Sequence, residues 1–372
     1  MGTSRLFLFA TTAAFTGLMS APTIAQSPDS ALAQFLDSTS TERRIPIKTI
    51  PTTISRSGSY FLPRNLQGVS GSDGITVTAS DVTLDLNGYT LEGVAGSKRG
   101  IDAASSVERI VILNGMVRDW DEEGIYLQVA KTARLENLTV AKNGIPFGEP
   151  GLSVAQDSTV HRVVATENGG DGIVVGGNSP NTNCRAVITD SVASSNGGMG
   201  IRAFRALAMT VENCAAWSNG SIGIKASEGA VRGCTARSNL GRGFELVQCT
   251  ASDSVAGNNG DDGFSLFASD VDNCKSHDNA GDGFDLVRVN KLRNSTASGN
   301  AGDGIRCTNE RNLVDGNLLV LNQGWGVFST DIRNSVTRNR AVDNSLGSYS
   351  VAGSNFGPEQ AAGTATSPWA NF

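Results

Sequence analysis

The chain has 372 residues with 30 Lys and Arg against 36 Asp and Glu, a net charge of −6 at pH 7. That acidity argues against a nucleic-acid partner. Gly is frequent at 44 residues and aromatics are sparse at 6%, which suits a chain of tight turns around a narrow core.

Residues 1–25 read as an export signal: Arg5 is the charged start, residues 6–18 are apolar, and Thr23, Ile24 and Ala25 precede a cleavage point near Ala25. The apolar run is too short to span a bilayer, and no later segment approaches that length. The expectation is an exported protein, periplasmic or extracellular, without a membrane span. Removing residues 1–25 deletes Arg5 and no acid, moving the charge from −6 to −7. Residues 26–44 read as a linker or N-terminal capping segment, with a short helix expected over 30–38.

From residue 45 to 351 one fragment repeats: Asn, three residues, Gly, a large apolar residue, any residue, and usually another apolar one. The Asn column is Asn168, Asn196, Asn219, Asn239, Asn259, Asn279, Asn300 and Asn322. From Gly223 the anchoring glycines advance by 20, 20, 20, 21, 22 and 21 residues. A period this short excludes helical repeats and predicts a solenoid of short strands. Counting from Gly74 to Gly347 gives about 13 coils, a rod roughly 60 Å long at strand spacing.

Register on the Asn exposes the columns. Eight residues before it stand Val160, Ile188, Val211, Val231, Val271, Leu292 and Val314; three before it stand Ala165, Ala193, Ala216, Ala236, Ala256 and Ala297. These columns point inward, and so does the column of Cys214, Cys234, Ser254, Cys274 and Ser295. Small buried thiols fit those slots better than strained bridges between coils. The column seven before the Asn, from His161 to Asp315, is polar and predicted to face water, with a bend at the next residue. The Asn amides are expected to stack as a hydrogen-bonded ladder, and the following Gly to supply positive φ.

These columns, with residues 54–66 and 82–89 as first coils, resemble the right-handed parallel β-helix proteins of the pectin-lyase-like superfamily. They are most similar to bacterial secreted members built from coils of the N-x-G-x-G-I-x-L type. The resemblance implies an all-β, single-stranded right-handed parallel β-helix. It also implies polysaccharide as the partner, bound or processed by a lyase, hydrolase or epimerase. A non-catalytic structural or adhesive solenoid stays open, because this fold hosts both. Of the family's catalytic signatures the chain shows only Asp261-Asp262, with no D-P-H-D, and neither His161 nor His277 has an evident partner in its own coil.

Three features are candidates for function. Asp262, Asp282 and Asp303 stack just before the anchor Gly, and a calcium ion would relieve their repulsion; the rival reading is that Asp suits a turn, and no other cofactor is evident. The outward strand after the Gly carries Tyr126, Val174, Arg202 and Lys225, with Phe204 beside them. Lys225–Glu245 and Asp285–Arg306 read as register pairs, whereas Arg202 lacks an acidic neighbour and is the expected ligand for a sugar carboxylate. Finally, insertions at 145–150, containing Phe147, and at 176–184 would wall a groove over that strand. The tail 352–372 is expected to cap the last coil through its terminal aromatics.

Overall fold

The computed structural model describes residues 44–103, 106–155, 157–176, 185–204, 208–352, 356–361 and 364–372. The readings for residues 1–25, 30–38 and 177–184 lie outside that set. The described residues form strands and turns only, and the strands pair in parallel. The strand after each anchor glycine joins a 14-stranded sheet running from Thr52–Ile54 to Gly347–Val351. The remaining strands of each coil form a 24-stranded sheet folded along the bends. Register is one coil per step, as in Ile224 to Phe244, Lys225 to Glu245 and Ala226 to Leu246. The result is an all-β parallel solenoid of about 13 coils.

The inward columns are as the period predicts. Val160, Ile188, Val211, Val231, Leu292 and the alanines from Ala165 to Ala297 are all buried. Phe244, Phe264 and Phe284 stack through the centre with ring centroids 4.5 and 5.0 Å apart. Trp120 stands in the Asn column, one coil before Asn143, whose Oδ1 accepts its backbone N–H at 3.1 Å. It is fully buried among the early coils, donates Nε1–H to the Leu91 carbonyl at 3.2 Å, and fills the space beside Gly68 and Gly74.

The Asn column forms a continuous ladder from Asn143 to Asn344, one coil longer at each end than the repeat suggested. At Asn219 the Nδ2 group donates to Asn239 Oδ1 at 2.9 Å and to the Ala193 carbonyl at 3.1 Å. The same Oδ1 also receives the Asn219 backbone N–H at 3.1 Å. Each amide therefore joins three coils and satisfies turn groups that water cannot reach. Two shorter ladders run through Asn290, Asn312 and Asn334, and through Asn317, Asn339 and Asn371. The last continues the Cys/Ser column, since Ser295 N–H bonds Asn317 Oδ1 at 2.9 Å.

The bends fall where predicted: Asn213, Gly233, Asp253, Asn273, Asn294 and Gly316 all have φ between 49° and 69°. A second left-handed residue precedes each ladder Asn, including Ser218 at 57° and Ser238 at 54°. The anchor glycines are a correction, because apart from Gly347 they are not left-handed. They are glycine for lack of room. A Cβ on Gly151 would lie 2.5 Å from Asn168 Nδ2, and one on Gly223 would lie 2.6 Å from Asn239 Nδ2.

The five described cysteines are free and buried. Burial pushes the Cys274 thiol up to about 12, which leaves it protonated and inert. At the C-terminus, Asn371 is buried and the Phe372 carbonyl accepts the Ala341 N–H at 2.6 Å. Trp369 lies 57% exposed beneath the Arg338 guanidinium. The chain end thus docks through backbone and Asn371 more than through its aromatic rings.

Ala236 has no exposed surface and sits in the inward column of alanines, whereas Ser298 is partly exposed. Ala236→Leu is expected to cost about 1–3 kcal/mol in chemical denaturation, and Ser298→Ala less than about 0.5 kcal/mol. Equal costs would place the two side chains on the same face.

Candidate binding groove

The outward positions of the 14-stranded sheet follow one column, with Tyr126 beside Ser153, Ser153 beside Val174, Val174 beside Arg202 and Arg202 beside Lys225. Over its early half lies a groove of about 530 Å³. Ser153 and Val174 form the floor and are buried, while Tyr126 and Phe204 stand towards its ends. One wall is the 145–150 insertion, held as a tight turn by Phe147, Gly148 and Glu149 N–H groups converging on the Gly144 carbonyl. Gly148, Glu149 and Pro150 contribute directly to the lining. The opposite wall expected from residues 177–184 lies outside the described residues.

The structure brings Tyr126, Arg202 and Phe204 into one groove and leaves two candidates out of its lining. Phe147 is 67% exposed on the wall. Lys225 is one coil further on and is paired with Glu245 at 2.6 Å, as its register predicts.

Arg202 corrects the sequence reading. Its Nε lies 2.6 Å from Asp171 Oδ2, a charge contact at poor hydrogen-bond angle, because the same nitrogen makes no aligned hydrogen bond. The guanidinium also lies 5.1 Å from the Phe204 ring centroid. Asp171 is fixed in turn by accepting the Met199 backbone N–H at 2.7 Å. At the other end Arg99 lies 3.9 Å over the Tyr126 ring and pairs with Glu123 at 2.9 Å and Asp102 at 3.1 Å. Glu149 has no ion pair among the described residues. Its burial, with Glu123 and Glu122 nearby, raises its pKa against the opposing pull of Arg99.

The Asp262, Asp282 and Asp303 stack is a second ladder of caps. Asp262 Oδ1 accepts the Asp282 N–H at 2.8 Å, Asp282 Oδ1 the Asp303 N–H at 2.6 Å, and Asp303 Oδ1 the Trp325 N–H at 2.7 Å. These are buried turns rather than wet ones. Arg242 offsets them, 3.5 Å from Asp262. Among the described residues no group of three acids, cysteines or histidines is placed to hold a metal ion.

Other pairings also depart from simple register. Asp285 and Arg306 are neighbours across coils yet form no ion pair; Arg306 turns to Asp282 at 3.8 Å and to the Phe328 ring. Asp315, expected to face water, is buried and pairs with Arg338. His277 does have a partner in its own coil, Asp278 at 3.0 Å, and its Nε2 meets Arg237 at 3.1 Å. His161 bonds Thr189 of the next coil at 2.8 Å.

Asp285 is left with a buried Oδ1 that has no partner, and burial followed by the Asp262 charge pushes its pKa up to about 6 from 3.8. A raised carboxyl holds its proton better in the folded state. Its ionisation therefore costs nothing below about 3.8, costs increasingly up to about 6, and costs in full above that. Asp285→Asn is expected to raise stability at pH 7.5, with the gain shrinking towards pH 4 in denaturation experiments at each pH. A gain independent of pH would mean that the charge is not its source.

Among curated proteins none matches the sequence significantly. A profile described as "Right handed beta helix region" matches residues 181–271. Among solved structures, the A-module of the mannuronan C-5 epimerase AlgE6 from Azotobacter vinelandii matches at 15% identity and a TM-score of 0.56, covering 82% of this chain and 92% of that one. The AlgE4 A-module from the same organism matches at 14% identity and a TM-score of 0.51, covering 81% and 90%. Identities this low speak for the fold alone. Together with the parallel coils and their register, they establish the fold as a right-handed parallel β-helix.

Proposed function

We propose that this is an exported protein that binds or processes polysaccharide in the groove over Tyr126, Ser153, Val174 and Arg202. The observation that carries the reading is the coincidence of three things on one stretch of strand. The insertion at 145–150 raises a wall, the floor is made of the small residues Ser153 and Val174, and aromatic rings stand at Tyr126 and Phe204. A linear glycan laid across successive coils would meet apolar ring surface at Tyr126 and Phe204. Between them its hydroxyls would meet the carboxylates of Glu123, Glu149 and Asp171, which accept hydrogen bonds. The export signal read at residues 1–25 is consistent with a substrate outside the cytoplasm. The mannuronan epimerase likeness supports the fold in which such grooves occur.

The test is polysaccharide binding to the purified protein, followed by assay for reducing ends and unsaturated product. Tyr126→Ala and Phe204→Ala are each expected to weaken binding about tenfold, the usual scale for a buried aromatic anchor. Arg306→Ala, far along the same face, should leave it unchanged. A larger loss at Arg306 would move the site to the later coils, full binding in all three variants would place it off this face, and no binding by the wild type would reduce the rod to a spacer.

A further inference from the structure

The groove's charges are committed in a way that specifies its ligand further. Among the described residues two arginines adjoin it, and both are occupied twice over. Arg99 is ion-paired to Glu123 and Asp102 and lies over the Tyr126 ring. Arg202 is in contact with Asp171 and packs beside Phe204. Among the described residues the lining contains Glu123, Glu149 and Asp171 against Arg202, a formal balance of one positive charge and three negative. Arg99 offsets one of the three from outside the lining. The charge left over is that of Glu149, on the wall, with no ion pair among the described residues.

We infer that the groove takes an uncharged glycan and discriminates against polyuronates, with Glu149 as the discriminating residue. This rests on the proposed function and names its substrate class. A uronate carboxylate entering the groove would have to take a guanidinium from Asp171 or Glu123, leaving that acid unpaired in a partly buried site. It would also approach Glu149, a like-charge contact of the kind that sets specificity by repulsion. A neutral sugar meets neither cost. Its hydroxyls donate to the standing carboxylates without breaking an ion pair, and they donate to Glu149 in its ionised form as well.

The experiment measures the affinity of the full mature chain for a soluble neutral β-glucan and for polygalacturonate and alginate, at low and moderate salt, with wild type, Glu149→Gln and Arg202→Ala. The expected result is neutral-glycan binding at least about tenfold tighter than either polyuronate, a factor equal to about 1.4 kcal/mol. The gap should narrow as salt screens the repulsion. Glu149→Gln should strengthen polyuronate binding severalfold and, by replacing a charged acceptor with a neutral one, weaken neutral-glycan binding, so that the ratio between the two classes narrows. Arg202→Ala, which frees Asp171, should weaken polyuronate binding further. Polyuronate binding equal to or tighter than neutral-glycan binding would overturn the inference and leave the groove's role intact. An unchanged ratio in Glu149→Gln would also overturn it. Binding of neither class would overturn both the inference and the function it rests on.

Discussion

The side-chain amide of one Asn per coil is the interaction on which the rest of this structure depends. A solenoid coil changes direction sharply several times in about 21 residues, and its turn backbone groups are sealed between neighbours. An Asn amide donates up through Nδ2 and accepts down through Oδ1 at the same point in every coil, and here each Oδ1 accepts both an Nδ2–H and a backbone N–H. An unpaired group in that column costs about 1–3 kcal/mol, so the ladder is self-enforcing over ten coils from Asn143 to Asn344. The later ladders at Asn290 and Asn317 repeat the same solution where Ser or Cys served earlier.

The ladder then dictates the residues around it. The chain must turn sharply into the Asn, which gives the left-handed residue just before it. The next coil's amide occupies the space beside the anchor position, which leaves glycine as the residue that fits. Strand direction after that glycine is fixed, and so is the outward column on which Tyr126, Arg202 and Asp285 lie. The turn acids obey the same economy: Asp171, Asp262, Asp282 and Asp303 each hold an amide of the following coil with one oxygen. Their other oxygen is free to meet a cation. Structure and groove electrostatics are therefore parts of one periodic arrangement.

This explains what could be read from sequence and what could not. The inward columns, the bends at Asn213 and its equivalents, and the Lys225–Glu245 pair repeat at constant offset, so aligning the repeats exposes them. The arginine partners were missed because contact runs diagonally: Arg202 and Arg306 meet acids in the turn of the preceding coil rather than in their own column. Asp285 was assigned to Arg306 for the same reason and is instead left without one. The anchor glycines were read as a conformational need because glycine permits positive φ, yet the constraint is steric and involves a residue 17 positions ahead at Gly151. Trp120 stands in the ladder position before Asn143 but is not an Asn, so a search for the repeated residue passes over it; Phe147 lies in an insertion, where periodicity carries no information.

The central claim, that the ladder amide forbids a side chain at the anchor glycine, is tested most directly at Gly151, where the three nearest atoms to an added Cβ all belong to Asn168. The measurement is a double-mutant cycle of Gly151→Ala and Asn168→Ala by equilibrium denaturation. The account predicts that Gly151→Ala is costly in the wild-type background and much less so in Asn168→Ala, with a coupling of at least about 1 kcal/mol. Additive costs, with Gly151→Ala equally damaging in both backgrounds, would show that the glycine answers to its own backbone and not to the ladder.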